Sequence, residues 1–212
     1  MSDMMDTLRN EKNMTPKQID ILRAAVELIA EKGYYNTSTS EIADRAGVAE
    51  GTIFRHYRTK KDLLVAIVTP VISNFSAPLF AEQFVAQVFR EAYATFKELL
   101  YAFIKNRFEF AQSNVPLIRI LLQELAFHPE IQTVYKQQFS EKVYPALNQA
   151  IDFYKQKGEL KDMPNETIIR TIVSTILGFM MTRFMLKPDQ NWDDEAEIKQ
   201  TIDIMMDGLG KV

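Results

Sequence analysis

Five basic side chains, Arg45, Arg55, Arg58, Lys60 and Lys61, stand within 17 residues against one acid, Glu50. Five positive charges less one negative leave a local +4 in a chain whose formal net charge is −3. Cations clustered in this way suit the neutralisation of phosphates. On charge alone, an ordinary solvated face reads equally well. Other chemistries have little to work with. Cysteine is absent, which removes disulfides, thiolate metal sites and cysteine nucleophiles. The two histidines, His56 and His128, are too few and too far apart for a zinc cluster. No paired carboxylates or nucleophile–base constellation can be assembled, so no catalytic residue, metal ligand or cofactor is expected. His56 lacks triad-like company, and contact with a groove or phosphate is the better reading of it.

The elements that must position these residues are helical. Only seven of 212 residues are glycine, none between Thr52 and Lys157, and that stretch lacks alternating strand patterns and Asn-Gly turns. A first helix is expected from about Thr15 to Lys32. Thr15 caps it, Pro16 suits its first turn, and Ile19, Leu22, Val26 and Ile29 form its apolar stripe. Gly33 closes it as a left-handed residue. Ser38 and Glu41 form a capping box opening a short helix to Ala46, and Gly47 turns the chain. Val48 points inward, and another short helix follows from Ala49 to Tyr57. Thr59 and Asp62 form a second box, opening a helix that carries Leu63, Leu64 and Ile67. Four helices, three of them short, thus fill the first 70 residues. A break is expected near Pro70–Pro78, with 71–80 irregular or a separate short helix. Longer helices are expected near 82–112, 116–127, 129–156, 164–186 and 194–209.

Residues 38–57 then have the form of a helix-turn-helix. Ala43 is small where two helices must approach closely, Gly47 supplies the positive φ, and Ile42, Val48 and Ile53 pin the pair. The second helix presents short side chains outward, with Arg55 and His56 reaching farther, as a recognition helix does in a major groove. The stretch from Gly33 to Leu64, GYYNTSTSEIADRAGVAEGTIFRHYRTKKDLL, resembles the DNA-binding domain of TetR/AcrR-type transcriptional regulators at nearly every fixed position. The resemblance covers about residues 15–70. It implies an all-α chain: an N-terminal three-helix helix-turn-helix DNA-binding lobe over 15–75 and a helical ligand-sensing and dimerisation lobe over 76–212.

Carried over position by position, the resemblance implies that Ser38 and Lys60 hold backbone phosphates. Ala49, Glu50, Gly51, Thr52, Arg55 and His56 would face the groove, with Ser40, Phe54 and Tyr57 also on the DNA-binding surface. Arg55 suits a guanine edge, and Glu50 could accept a hydrogen bond from cytosine. Two positions depart from the family pattern: Phe54 stands where tyrosine is usual, losing a hydroxyl, and Tyr57 brings a hydroxyl to a position that is usually phenylalanine and packs inward in the family.

Beyond residue 70 lie 13 of the 14 phenylalanines. Phe103, Phe108, Phe110, Phe127, Phe139 and Phe153 read first as core, yet a lobe this aromatic could enclose a ligand pocket with Phe103, Phe108, Phe127, Phe139 and Phe153 in its wall. Arg119 and Glu124 are polar anchors for such a pocket or, somewhat ahead, a solvent-facing pair. His128 falls at a helix junction. Ile198, Ile202, Met205 and Leu209 make a narrow seam, and Ile172, Ile176 and Met180 line one face of the preceding helix. These seven are expected to form a homodimer interface, which the resemblance also implies, with intramolecular burial as the alternative. Two recognition helices about 34–36 Å apart, or a multiple of a helical turn, would read a palindromic operator.

The expected function is therefore a ligand-responsive regulator: a repressor released from double-stranded operator DNA by a small, mostly apolar effector of unknown identity. The competing reading is a helical small-molecule or lipid carrier without regulatory DNA binding. Charge reversal at Lys60 separates the two, since a regulator should lose DNA binding with its fold preserved. The opening MSDMMDTLRNEKNMT has no apolar core region, and no run reaches the roughly 18 uninterrupted apolar residues of a membrane span. A cytoplasmic protein without a membrane partner is expected.

Overall fold

The computed structural model describes residues 14–76 and 93–210, and their regular structure is helical apart from one isolated antiparallel bridge between Leu160 and Gly210. The helices are α1 (Pro16–Lys32), α2 (Thr39–Ala46), α3 (Glu50–His56), α4 (Lys60–Ser76), α5 (Phe96–Ser113), α6 (Val115–Glu124), α7 (Pro129–Gln138), α8 (Tyr144–Gln156), α9 (Asn165–Met181) and α10 (Asp194–Leu209). They fall into two compact units. One holds the described residues up to Asn74 together with Ser113–Lys136, and the other holds Phe75–Gln112 with the chain from Gln137 onward.

In the first unit, α1 packs on α2 and on α6, and α2 packs on α3. Ile19, Leu22, Val26 and Ile29 are buried, as their spacing predicts, and meet Ile42, Ala43 and Ile53 in one core; Val48 is only half-buried. Thr15 caps α1, and Gln18 returns the bond to the Thr15 backbone, completing a capping box. Gly33 has φ 83° but ψ 159°, so it is a positive-φ residue outside the left-handed helical region. Gly47, at φ 65° and ψ 35°, is the left-handed residue of the turn.

The expected break at Pro70 does not occur: α4 runs through it to Ser76. A proline inside a helix forfeits one backbone bond and crowds the preceding turn. Here Ile67, Val68, Val71 and Ile72 around it are buried, and that burial holds the helix continuous. Asn74 Nδ2 also donates to the Pro70 carbonyl at 3.0 Å.

In the second unit, α8 packs on α9 and α9 on α10. Tyr154 is fully enclosed, its hydroxyl donating to the Tyr93 carbonyl at 2.9 Å and its ring 5.4 Å from Phe96. Phe108 stacks on Phe179 at 5.7 Å and lies 5.3 Å from Phe184. The helix expected over 82–112 begins at Phe96, where Thr95 and Glu98 cap it reciprocally; its 82–92 portion lies outside the described residues. The expected helix over 129–156 is interrupted by a wide π turn, Phe139–Val143, in which Tyr144 bonds to the Phe139 carbonyl. Pro145 explains the interruption, because it has no N–H to offer the Glu141 carbonyl. A second π turn, Thr182–Leu186, ends α9.

Together α9 and that turn, Asn165–Leu186, are long and apolar enough to cross a membrane, with mean hydropathy 1.4. The same make-up suits a bundle helix. Ile168, Ile169, Ile172, Ile176 and Met180 are buried within the unit, and Arg183 forks onto Asp194 at 2.6 and 3.3 Å.

Candidate nucleic-acid interface

The helix-turn-helix is set by side chains that satisfy the backbone locally. Ser38 accepts from the Glu41 N–H at 3.1 Å while Glu41 accepts from the Ser38 N–H at 2.9 Å, the capping box that the sequence announces. Lys32 reaches the same carboxylate at 2.6 Å, and its ammonium with the Ser38 donors holds Glu41 down at about 2. Thr37, buried, donates to the Gly33 carbonyl at 2.9 Å. Thr59 and Asp62 exchange bonds of 3.0 Å to open α4. One link joins the two motif helices directly: Thr39 Oγ1 donates to Glu50 at 2.6 Å.

On α3, Ile53 faces the core, while Ala49, Glu50, Gly51, Phe54 and Arg55 are exposed; Thr52 and His56 are half-buried at the edge. Ser38 and Ser40 are exposed at the start of α2. Tyr57 does not share this surface. It is only 8% exposed, and its hydroxyl is buried without a hydrogen-bond partner among the described residues, so it cannot reach a phosphate. Burial also pushes its ionisation upward.

Lys60, expected to hold a phosphate, is committed to the fold. Its ammonium donates to the Tyr34 and Thr37 carbonyls, each at 2.7 Å, and sits 4.2 Å above the Tyr34 ring. Partial burial lowers its basicity, with Glu124 acting in the opposite sense. Of the other cations in the cluster, Arg45 pairs with Glu27 and Lys61 with Glu130. Arg55 and Arg58 form no ion pair or hydrogen bond among the described residues. They carry the uncompensated charge of this face.

A groove of about 550 Å³ runs between Tyr35–Thr39 and Phe54, Arg58, Thr59 and Lys60. Tyr35, Asn36 and Arg58 were not singled out from the sequence as contacts. The only signal for Arg58 was its place in the charge count, and Tyr35 had none.

The residues expected to line a ligand pocket fall in both units. Phe108 is buried in the second unit, with Phe103, Phe139 and Phe153 half-buried there. Arg119, Glu124 and Phe127 belong to the first unit, where Phe127 is 68% exposed. The solvent-facing reading of Glu124 is overturned. It is 5% exposed and bonds at 3.1 Å to His128, itself 6% exposed at the corner between α6 and α7. The His128 ring meets Tyr34 edge-on at 4.9 Å. A buried carboxylate needs such a partner.

The expected dimer seam also requires correction. Ile172, Ile176, Met180, Ile198, Ile202, Met205 and Leu209 are all buried within a single chain, so these side chains serve its own core. The apolar side chains left outward on the same two helices are Leu177, Met181 and Ile204, the last 74% exposed.

Residues 21–67 match the family model for bacterial regulatory proteins of the tetR family. The fatty acid metabolism regulator protein of Bacillus subtilis is 26% identical over 201 residues, covering 93% of this chain and 98% of that protein. The crystal structure of the transcriptional regulator FadR from Bacillus subtilis in complex with stearoyl-CoA superposes with a TM-score of 0.70 at 26% identity, over 90% of this chain and 98% of that one. The fatty acid degradation regulator FadR from Bacillus halodurans has the same fold, with a TM-score of 0.72 at 23% identity over 92% of this chain and 97% of that one. With the helix-turn-helix, its exposed α3 and its unpaired arginines in place, the chain belongs to the TetR family of DNA-binding transcriptional regulators.

Proposed function

We propose that the chain is a homodimeric cytoplasmic repressor, with residues 15–75 binding a palindromic operator and 76–212 sensing an effector and dimerising. The observation that carries the DNA reading is the exposed face of α3, flanked by Arg55 and Arg58 with no acidic partner. Arg55 has the reach and the two-pronged donor set to read a guanine edge. The carrier reading gives no account of two unpaired guanidiniums beside a recognition helix.

The effector we propose is a long-chain acyl-CoA or an amphiphile like it. Support comes from the full-length likeness to a regulator crystallised with stearoyl-CoA. It also comes from Arg107, a buried guanidinium on α5 whose basicity burial lowers to about 10. A buried cation beside Phe108 and Phe110 is suited to an anionic head group whose tail is apolar. Dimerisation is proposed through the outward face of α9 and α10. There Leu177, Met181 and Ile204 stand beside the exposed Ser174, Gly178 and Gly208, small enough for helices to approach closely.

Fluorescence anisotropy tests the whole reading, with a duplex carrying an inverted repeat from the DNA upstream of the reading frame. The protein should bind it, and stearoyl-CoA should release it. By reciprocity, the duplex should weaken stearoyl-CoA binding by the same factor. Duplex affinity unchanged by saturating stearoyl-CoA would remove this effector class. Absence of duplex binding would remove the regulator.

A further inference from the structure

The groove beside α3 assigns a phosphate site that differs from the one expected at Ser38. Ser38 is spent: its N–H and hydroxyl both engage Glu41. Thr39 donates its hydroxyl to Glu50. Lys60 commits two of its three ammonium protons to backbone carbonyls. Among the donors this groove still offers, beside the Thr59 hydroxyl, a second Asn36 amide proton and the third Lys60 proton, the farthest-reaching are the Arg58 guanidinium, with no ion pair or hydrogen bond among the described residues, and the Tyr35 hydroxyl. Tyr35 is 73% exposed yet held in place, its ring edge-on to Tyr34 at 5.4 Å and stacked on His128 at 6.4 Å.

We propose that this groove seats one phosphodiester of the DNA backbone, gripped by the Arg58 guanidinium and the Tyr35 hydroxyl. The site rests on the DNA-binding reading and deepens it. A guanidinium binds a phosphate through two parallel N–H···O bonds, and the tyrosine adds a neutral third. Phe54, exposed along the same groove and without a hydroxyl, contributes only its ring. Contacts of this kind fix the register of the protein on the duplex and carry no base preference.

The test uses the full-length protein and a random-sequence 24-base-pair duplex, with anisotropy followed as salt is raised. Each neutralised phosphate contributes about −0.9 to the log–log slope of affinity against salt. Arg58→Gln should weaken binding and make the slope shallower by about 0.9. Arg58→Lys should restore the slope, and Tyr35→Phe should weaken binding severalfold at an unchanged slope. Arg170→Gln, at an exposed arginine of the second unit, should change neither. Circular dichroism checks that each variant folds. A wild-type slope retained in Arg58→Gln overturns this site while leaving DNA binding standing. A wild-type protein without salt-dependent duplex binding overturns the reading beneath it.

Discussion

Replacing Lys60 with methionine separates a residue that supports the fold from one that only touches DNA. Methionine keeps the length and apolar stem but removes two hydrogen bonds of 2.7 Å and the cation over the Tyr34 ring. A hydrogen bond involving a charged group contributes about 1.5–3 kcal/mol, and a partly exposed cation–π contact about 0.5–1 kcal/mol. For fully enclosed partners the loss therefore sums to about 3.5–7 kcal/mol. Lys60 is half-exposed, so water can reach the two released carbonyls and recover more than half of that. A net loss of about 2 kcal/mol remains, roughly 4–8 °C in melting temperature for a chain of this length. Thermal unfolding without DNA, followed by circular dichroism, reads it directly, with Arg55→Gln as a solvent-facing control that should not shift. Lys60→Met as stable as wild type to within about 0.5 kcal/mol would refute the reasoning and return Lys60 to the role of a simple phosphate contact. Charge reversal at Lys60 consequently disturbs the fold as well as the charge, and Arg55 and Arg58 are the cleaner probes of DNA binding.

Other expectations follow from single residues. Glu41 is held at about 2 against an ordinary value of 4.5, so its stabilisation is complete above pH 4.5 and lost as pH falls toward 2. The melting-temperature gap between wild type and Glu41→Gln should accordingly be full at pH 6 and narrow steadily between pH 4.5 and 3; a gap independent of pH would contradict the capping role. Gly47→Ala should cost about 1 kcal/mol, since its φ of 65° is left-handed, and a denaturant midpoint that does not move would contradict this. Gly51→Ala should do the opposite on two readouts. An added methyl meets nothing within 4 Å and favours α3 by about 0.5–1 kcal/mol, yet it projects from the exposed face and should weaken duplex binding. If the proposed dimer forms through the outward face of α9 and α10, Ile204→Glu should yield a monomer by sedimentation, whereas Ile202→Val, in the core of one chain, should lower stability by about 1 kcal/mol and leave assembly unchanged.

Much of the first unit was legible because its signals are local. Ser38 with Glu41 and Thr59 with Asp62 are spacings of three that can satisfy each other without help from elsewhere. Thr95 with Glu98 has the same form, but the apolar periodicity that suggests a helix from 82 runs straight through it. Pro70 misled because a proline's local cost is readable, whereas the burial of Val68 and Val71 that outweighs it depends on distant residues. The dimer seam failed for a related reason. On α9 and α10, periodicity reveals apolar stripes but not which stripe faces the chain's own core. It favours the fuller one, which burial in one chain claims first, over the faces that carry Leu177, Met181 and Ile204. The site shows the same division. The exposure of Ala49, Gly51 and Arg55 follows from helix geometry, whereas the commitment of Lys60 to Tyr34 and Thr37, and of Glu124 to His128, needs the tertiary fold. The fuller reading of charge is therefore by subtraction: the cations left over after pairing, Arg55 and Arg58, mark the face.

Hydrogen–deuterium exchange of the intact protein with and without a duplex tests that face most directly. Peptides spanning residues 38–60 should gain protection when DNA is added, at duplex concentrations that saturate binding, while those spanning 144–156 should exchange at the same rate in both states. Protection concentrated on 144–209, with 38–60 unaltered, would contradict the assignment of the exposed surface of α3 as the one that meets DNA.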